Sequence, residues 1–274
     1  MSDAGGGLRI TVLGDSSATL YYQDPVERAA VAEAPAWPDV LPAVMDAADV
    51  TVTNLAGVGQ QLSQGLESRY AALDSLRPNV VVISHGGREG IVALPRLLAW
   101  VRCYAHNESP YYGRHHIRQR IRRPLWAAFV AAVTRHPRVC RTLLRPLNIR
   151  PVDGNTHRFR TQLTELVARL VEQQAQVVLM PSFLGHHSFW PLFTDVVAAN
   201  TATFRDVAAA FDGHVTVLDL QPCVTDSDFT GDGAHLTVAG HERVAQMVAA
   251  HILQATHRTG LAPSQRLMKT MAVA

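Results

Sequence analysis

Acidic residues are missing from one long stretch of this chain. Between Ser109 and Val152 there is no Asp or Glu, and ten arginines stand there instead: Arg114, Arg118, Arg120, Arg122, Arg123, Arg135, Arg138, Arg141, Arg145 and Arg150. The formal net charge of all 274 residues is +2, so the remainder carries roughly −8. Cysteine is scarce as well. Cys103, Cys140 and Cys223 are odd in number and far apart, which argues against a disulfide framework and for a reduced, cytoplasmic protein. Each thiol is expected to be buried as a small hydrophobe. No apolar run approaches the roughly eighteen residues of a membrane span. The first ten residues have neither the basic region nor the apolar stretch of an export signal.

Several motifs are also lacking. There is no HExxH and no Cys/His spacing suited to a metal, so the adjacent His186 and His187 read as pocket lining or surface within the aromatic loop Leu184–Trp190. The G-x-S-x-G of a nucleophile elbow does not occur. Gly57-Val58-Gly59 could open a dinucleotide fingerprint, but Leu62 stands where the third glycine belongs and no suitable acid follows. The arginine-rich stretch lacks interleaved surface aromatics, so no nucleic-acid partner is expected.

What is present alternates between short apolar runs and amphipathic segments. Hydrophobic residues make up 47% of the chain and charged ones 18%, enough for an ample core in a soluble enzyme. Strands are expected near Ile10–Leu13, Val50–Asn54, Asn79–Ser84, Val177–Met180 and Val215–Leu218. Helices are expected from Trp37, over Leu62–Leu76, Leu94–Tyr104, Thr156–Gln174 and Thr201–Phe211, and from Val238 to Leu253. Strands alternating with helices through right-handed crossovers predict a three-layer α/β/α domain. Its parallel five-stranded sheet would be flavodoxin-like, in the order 2-1-3-4-5. The domain would span residues 1–255, with a basic helical cap inserted at about 107–155 and a tail over 256–274. In that cap Leu125, Trp126, Phe129, Val130 and Val133 recur at helical spacing after Pro124. The alternative is an arginine-rich surface neutralised by the acidic body.

The chemistry-bearing residues lie at the two ends of the chain. The first strand stops at Gly14-Asp15-Ser16-Ser17, delivering a small hydroxyl to the carboxyl edge of the sheet, where open α/β folds keep their ligands. Serine is a weak nucleophile until a base takes its proton. Asp232-Gly233-Ala234-His235, just ahead of the last helix, offers that base and an acid to orient it. The plainer alternative is that Ser16 caps a helix.

A G-D-S on the first strand, a glycine loop after the second and D-x-x-H-L before the last helix resemble the SGNH (GDSL) family of serine hydrolases and acyltransferases. The resemblance runs from about Ile10 to Ala250, apart from the insertion. It implies Ser16 as nucleophile, His235 as base and Asp232 as its orienting acid. It also matches Asn54 and Gly59 to the family's second block, whose glycine N–H joins the oxyanion hole. At the third block the family has G-x-N-D. Here Gly86-Gly87-Arg88-Glu89 keeps the glycine and an acid but places Arg88 at the asparagine position. Either Arg88 donates to the oxyanion or to an anionic substrate group, or it pairs outward with a carboxylate.

Within the family the chain looks most like the actinobacterial diglucosylglycerate octanoyltransferases, which share a G-G-x-D third block and a basic helical insertion. That resemblance implies transfer of a short or medium acyl group to a sugar or other small-molecule hydroxyl, with ester hydrolysis as the alternative. A binding module that lost the chemistry is a third reading. No cofactor is expected. Acyl-CoA or an acyl carrier protein would be a donor substrate, drawn by the arginines; contact of the same segment with a membrane surface stays open.

Overall fold

The computed structural model describes residues 7–20, 34–46, 49–85, 128, 153–184, 194–211, 213–230 and 234–258. Its centre is β3 (Val80–Ser84), a run of β-branched residues with no side chain more than 2% exposed. Only a strand covered on both faces accommodates such a run. β1 (Leu8–Gly14) pairs parallel to it on one side and β4 (Gln176–Leu179) on the other. β2 (Val50–Asn54) and β5 (Val215–Val217) form the edges, giving the order 2-1-3-4-5 across five parallel strands, as expected.

Alternation along the strands sorts the core into two halves. Val80 and Val82 join Ile10, Val12 and Val178 on one face, against α1 (Trp37–Val44) and α6 (Val238–Arg258). Val81 and Ile83 join Leu13, Val177 and Leu179 on the other. That second face is covered by α2 (Leu62–Glu67), α3 (Leu73–Leu76), α4 (Asp153–Glu172) and α5 (Thr194–Ala209). Helix α4 offers Phe159, Leu163, Leu166, Val167 and Leu170 at helical spacing, and α6 offers Val244, Val248 and Ile252. The result is three layers.

Several expectations needed correction. The segment Leu62–Leu76 is two short helices around a 3-10 turn, Arg69–Ala72, not one helix. Ser68, at φ −133° and ψ −86°, leaves the helical region, and the break carries Tyr70 inward to 1% exposure. Helix α5 begins seven residues earlier than expected, at Thr194 rather than Thr201. Helix α6 continues to Arg258, past its expected end at Leu253, because Ala255 and Thr256 are still buried. Cys223 is exposed rather than buried; in the loop after β5 its neighbour Val224 takes the inward position. The cap at about 107–155 lies outside the described residues, apart from residue 128 and the start of α4, and so do Leu94–Tyr104, Cys103 and Cys140. No helix among the described residues is long and apolar enough to cross a membrane.

Candidate active site

The site is built where β1 ends. Asp15 caps the 3-10 turn Ser16–Ala18 by accepting the Ser17 N–H at 2.9 Å, and its own N–H reaches the Ser84 carbonyl at the end of β3. The Ser17 hydroxyl lies 2.8 Å from that of Ser84. With Ser17 committed inward, the turn leaves Ser16 half-buried at the carboxyl edge of the sheet.

The side chain that meets Ser16 arrives from the far end of the chain. Residues 235–237 run antiparallel to 228–230. The Thr230 N–H donates to the His235 carbonyl at 2.8 Å, and the Thr237 N–H to the Asp228 carbonyl at 2.9 Å. Thr237 then caps α6, its Oγ1 accepting the Gly240 N–H at 3.0 Å. A Cβ at position 240 would overlap the Asp228 carbonyl, so only glycine lets the helix start this close to the strand. Asp228 is itself held by the Thr225 N–H at 2.7 Å and by the Arg243 guanidinium at 3.4 Å. This frame sets His235 Nε2 3.1 Å from Ser16 Oγ across 219 residues of sequence. His235 is 8% exposed. A hydroxyl at that distance from an imidazole nitrogen can pass its proton to it.

The glycine loop lies along the same edge. The Leu55 N–H donates to the Val12 carbonyl and the Gly57 N–H to the Gly14 carbonyl, at 2.8 and 3.1 Å. Gly59 has φ +65°, in the left-handed region where glycine is unstrained. Asn54, grouped from the sequence with the oxyanion and substrate residues, uses its side-chain amide within the fold. Its Nδ2 donates to the Ala18 carbonyl at 2.9 Å, and its Oδ1 accepts the Ala56 N–H at 3.0 Å. Its amide therefore joins the serine turn to the glycine loop.

The glycine loop also borders a cavity, and several of the residues around it carried no signal in sequence. Gly57, Val58, Gly59, Gln60, Gln64, Ser68 and Arg69 line an open, polar cavity of about 220 Å³. Arg69 is anchored beside it through a hydrogen bond to the Ala56 carbonyl. His85 is fully buried with its Nε2 against the Tyr70 hydroxyl. Burial pulls its pKa down to about 4, against the opposing pull of the Asp15 charge. His241, on α6, is 1% exposed, and burial aided by the charge of His235 likewise draws its pKa down to about 4. A periodic pattern would have offered either histidine only as core.

Asp232, Gly86, Arg88 and the aromatic loop beyond Leu184 lie outside the described residues. Among the described residues no group of His, Cys, Asp or Glu is arranged to hold a metal ion.

Comparison with known proteins agrees with this architecture. An acetyl-xylooligosaccharide esterase from Geobacillus Stearmophilus, in a variant of Axe2, superposes with a TM-score of 0.55 at 15% identity, over 90% of this chain and 95% of that one. A lipase/acylhydrolase from Enterococcus faecalis gives 0.54 at 15% identity, over 89% and 95%. The psychrotrophic esterase EstA from Pseudoalteromonas sp., in a structure inhibited by monoethylphosphonate, gives 0.51 at 14%, over 89% and 94%. No curated protein matches in sequence. The model of the GDSL-like Lipase/Acylhydrolase family matches residues 12–243, from inside β1 to the second turn of α6. The chain therefore belongs to the GDSL-like lipase/acylhydrolase family and is a serine hydrolase of the SGNH class.

Proposed function

We propose that the protein transfers acyl groups through an acyl-Ser16 intermediate. It would take a short or medium acyl group from a thioester or ester donor and pass it to a hydroxyl of a sugar or other small molecule. The observation that carries this reading is the 3.1 Å approach of His235 Nε2 to Ser16 Oγ. In the neutral imidazole that accepts from Ser16, Nδ1 carries the proton, and Asp232 is the group proposed to hold it.

The chemistry then runs in two halves. His235 takes the Ser16 proton as Oγ attacks the donor carbonyl. The negative charge that develops on the carbonyl oxygen is met by backbone N–H groups of Ser16 and Gly59. Collapse expels the thiol or alcohol, which leaves with the proton from His235. An acceptor hydroxyl next gives its proton to His235 and attacks the acyl-serine carbonyl; collapse releases the new ester, and Ser16 recovers its proton. Arg88 and Gly86, where the family has its third block, would serve the oxyanion or an anionic group of the donor.

Support for a thioester donor is electrostatic. Acyl-CoA and acyl carrier protein are anionic, and the ten arginines of 109–152 oppose an acidic remainder. Arginine binds phosphate oxygens in pairs and stays charged. The resemblance to diglucosylglycerate octanoyltransferases points the same way, to a cytoplasmic enzyme acting on a sugar hydroxyl. Hydrolysis of a carboxylic ester is the second reading, favoured by the esterase names of the similar structures.

The deciding experiment supplies octanoyl-CoA with and without glycosylglycerate acceptors and follows thiol release, free octanoate and acylated sugar together. Transfer predicts that acceptor raises thiol release and that most acyl appears on sugar. Free octanoate as the sole product, at a rate indifferent to acceptor, would leave the hydrolase reading. A donor role for the arginines predicts that apparent affinity for the CoA donor falls with salt, as exposed charge is screened within about 8 Å at physiological ionic strength. A neutral p-nitrophenyl ester should show no such dependence.

A further inference from the structure

The contact between Ser16 and His235 joins two segments that are also tied together behind the site. Trp37, the first residue of α1, is fully buried between them. Its backbone N–H, left without an intrahelical acceptor at a helix start, donates to His241 Nδ1 at 3.1 Å. Its indole N–H donates to the Ser17 carbonyl at 3.1 Å. Both ends of the residue are therefore engaged, one on the helix that follows the base and one on the turn that carries the nucleophile.

Each anchor is rigid. The His241 N–H closes onto the Thr237 carbonyl at 2.8 Å, so His241 is fixed to the strand-like segment bearing His235. Ser17 is held at three atoms: its N–H by Asp15, its hydroxyl beside Ser84 and its carbonyl by Trp37. Accepting at Nδ1 places the proton of neutral His241 on Nε2, a buried atom with no hydrogen-bond partner among the described residues. An apolar side chain would pack here without that orphaned donor, but it would leave the Trp37 N–H without its acceptor. The depressed pKa of His241 keeps Nδ1 open to accept at neutral pH.

We propose that His241 is a positioning residue for the Ser16–His235 pair: through Trp37 it fixes the serine turn relative to the histidine segment. The proposal rests on the reading of Ser16 as nucleophile. It touches no reacting atom and acts only through the placement of two groups, whose misplacement by about 1 Å is able to cost on the order of 100-fold in rate.

The test uses the whole protein and the rate at which a fluorophosphonate labels Ser16, beside melting temperature and kcat and KM for p-nitrophenyl butyrate. His241→Leu should label about 10- to 100-fold more slowly, with kcat lowered alike and KM within about twofold. His241→Asn, whose amide oxygen supplies an acceptor near the place of Nδ1, should recover most of the rate. Trp37→Phe keeps the ring and loses the indole donor, and should slow labelling too. The double variant His241→Leu with Trp37→Phe should be little slower than the slower single one, since both break one connection. Leu163→Ala, on the opposite face of the sheet, is the control for lost stability alone and should label at the wild-type rate. If the folded His241→Leu and Trp37→Phe proteins label as fast as Leu163→Ala, or if their losses multiply, the inference is overturned. Should His241→Leu not fold, slow Trp37→Phe beside near-normal His241→Asn supports it, and normal Trp37→Phe overturns it. Wild-type protein that takes no label at Ser16 overturns instead the reading of Ser16 itself.

Discussion

Asn54, the last residue of β2, holds the Ala18 carbonyl through its side-chain Nδ2 at 2.9 Å. Its Oδ1 holds the Ala56 N–H, so one amide sets the serine turn and the glycine loop against each other. Asn54→Ala removes both bonds and should cost about 1–3 kcal/mol of stability, measured by chemical denaturation. Fluorophosphonate labelling of Ser16 should slow with it. Asn54→Asp keeps the acceptor but presents a carboxylate to the Ala18 carbonyl, and should label no faster than the alanine variant. A stable, fully reactive Asn54→Ala would show that the two loops hold their places without it.

Gly240→Ala makes a sharper test of the frame around His235. The added Cβ has nowhere to go but into the Asp228 carbonyl, the same oxygen that accepts the Thr237 N–H. Relief requires the start of α6 to move, at a cost of about 1–3 kcal/mol or more. The melting temperature should fall and Ser16 should lose reactivity even in the fraction that stays folded. Unchanged stability would mean that α6 approaches the 228–230 segment less closely than described.

Acid should loosen the fold before any carboxylate is considered. Both His85 and His241 have pKa values drawn down to about 4 by burial, while in the unfolded chain a histidine titrates near 6.5. The unfolded state therefore binds more protons than the folded one between these values, and stability falls as pH drops through that window. It is fully present above pH ~6.5, and each histidine accounts for roughly 3 kcal/mol by the time pH reaches ~4. His241→Asn should remove about half of the slope contributed by the pair. Denaturation curves at half-unit pH steps would check this; a variant with the wild-type slope would take His241 out of the account.

The sheet was legible because β strands buried on both faces leave an unbroken apolar run, as in Val80–Ile83, and the crossover rule fixes their order. That Ser16 and His235 meet was legible because each stands at a carboxyl-edge turn with a recognisable neighbour in sequence. Asn54 was placed in the right neighbourhood, but its bonds to the serine turn and the glycine loop were not legible, since its type and spacing say nothing about which atoms it holds. His85 and His241 gave no signal and Trp37 only that of a helix start, because a periodic pattern does not separate a buried polar contact from core packing. Their roles come from contacts across 15 and 204 residues of sequence, which no local period records. The break at Ser68 was missed for a similar reason: Tyr70 turns inward to meet His85, a demand of tertiary packing on a segment with ordinary helix propensity.

Arg88 separates the two readings of the third block. Arg88→Ala should lower kcat by about 100-fold or more if the guanidinium meets the oxyanion, as loss of one such donor does elsewhere. Arg88→Asn should then restore simple ester hydrolysis. Unaltered kinetics in the alanine variant would place Arg88 outside the reaction centre.

The central claim is that Ser16 is the atom acylated and His235 the base that activates it. Intact-mass spectrometry after a short exposure to a fluorophosphonate tests it most directly, with peptide mapping of the adduct. The account predicts one phosphonyl group on wild-type protein, located at Ser16, none on Ser16→Ala, and labelling slowed by about 10²–10⁴-fold in His235→Ala. A single adduct that persists in Ser16→Ala, or an unlabelled wild-type protein whose ester turnover is intact, would contradict it.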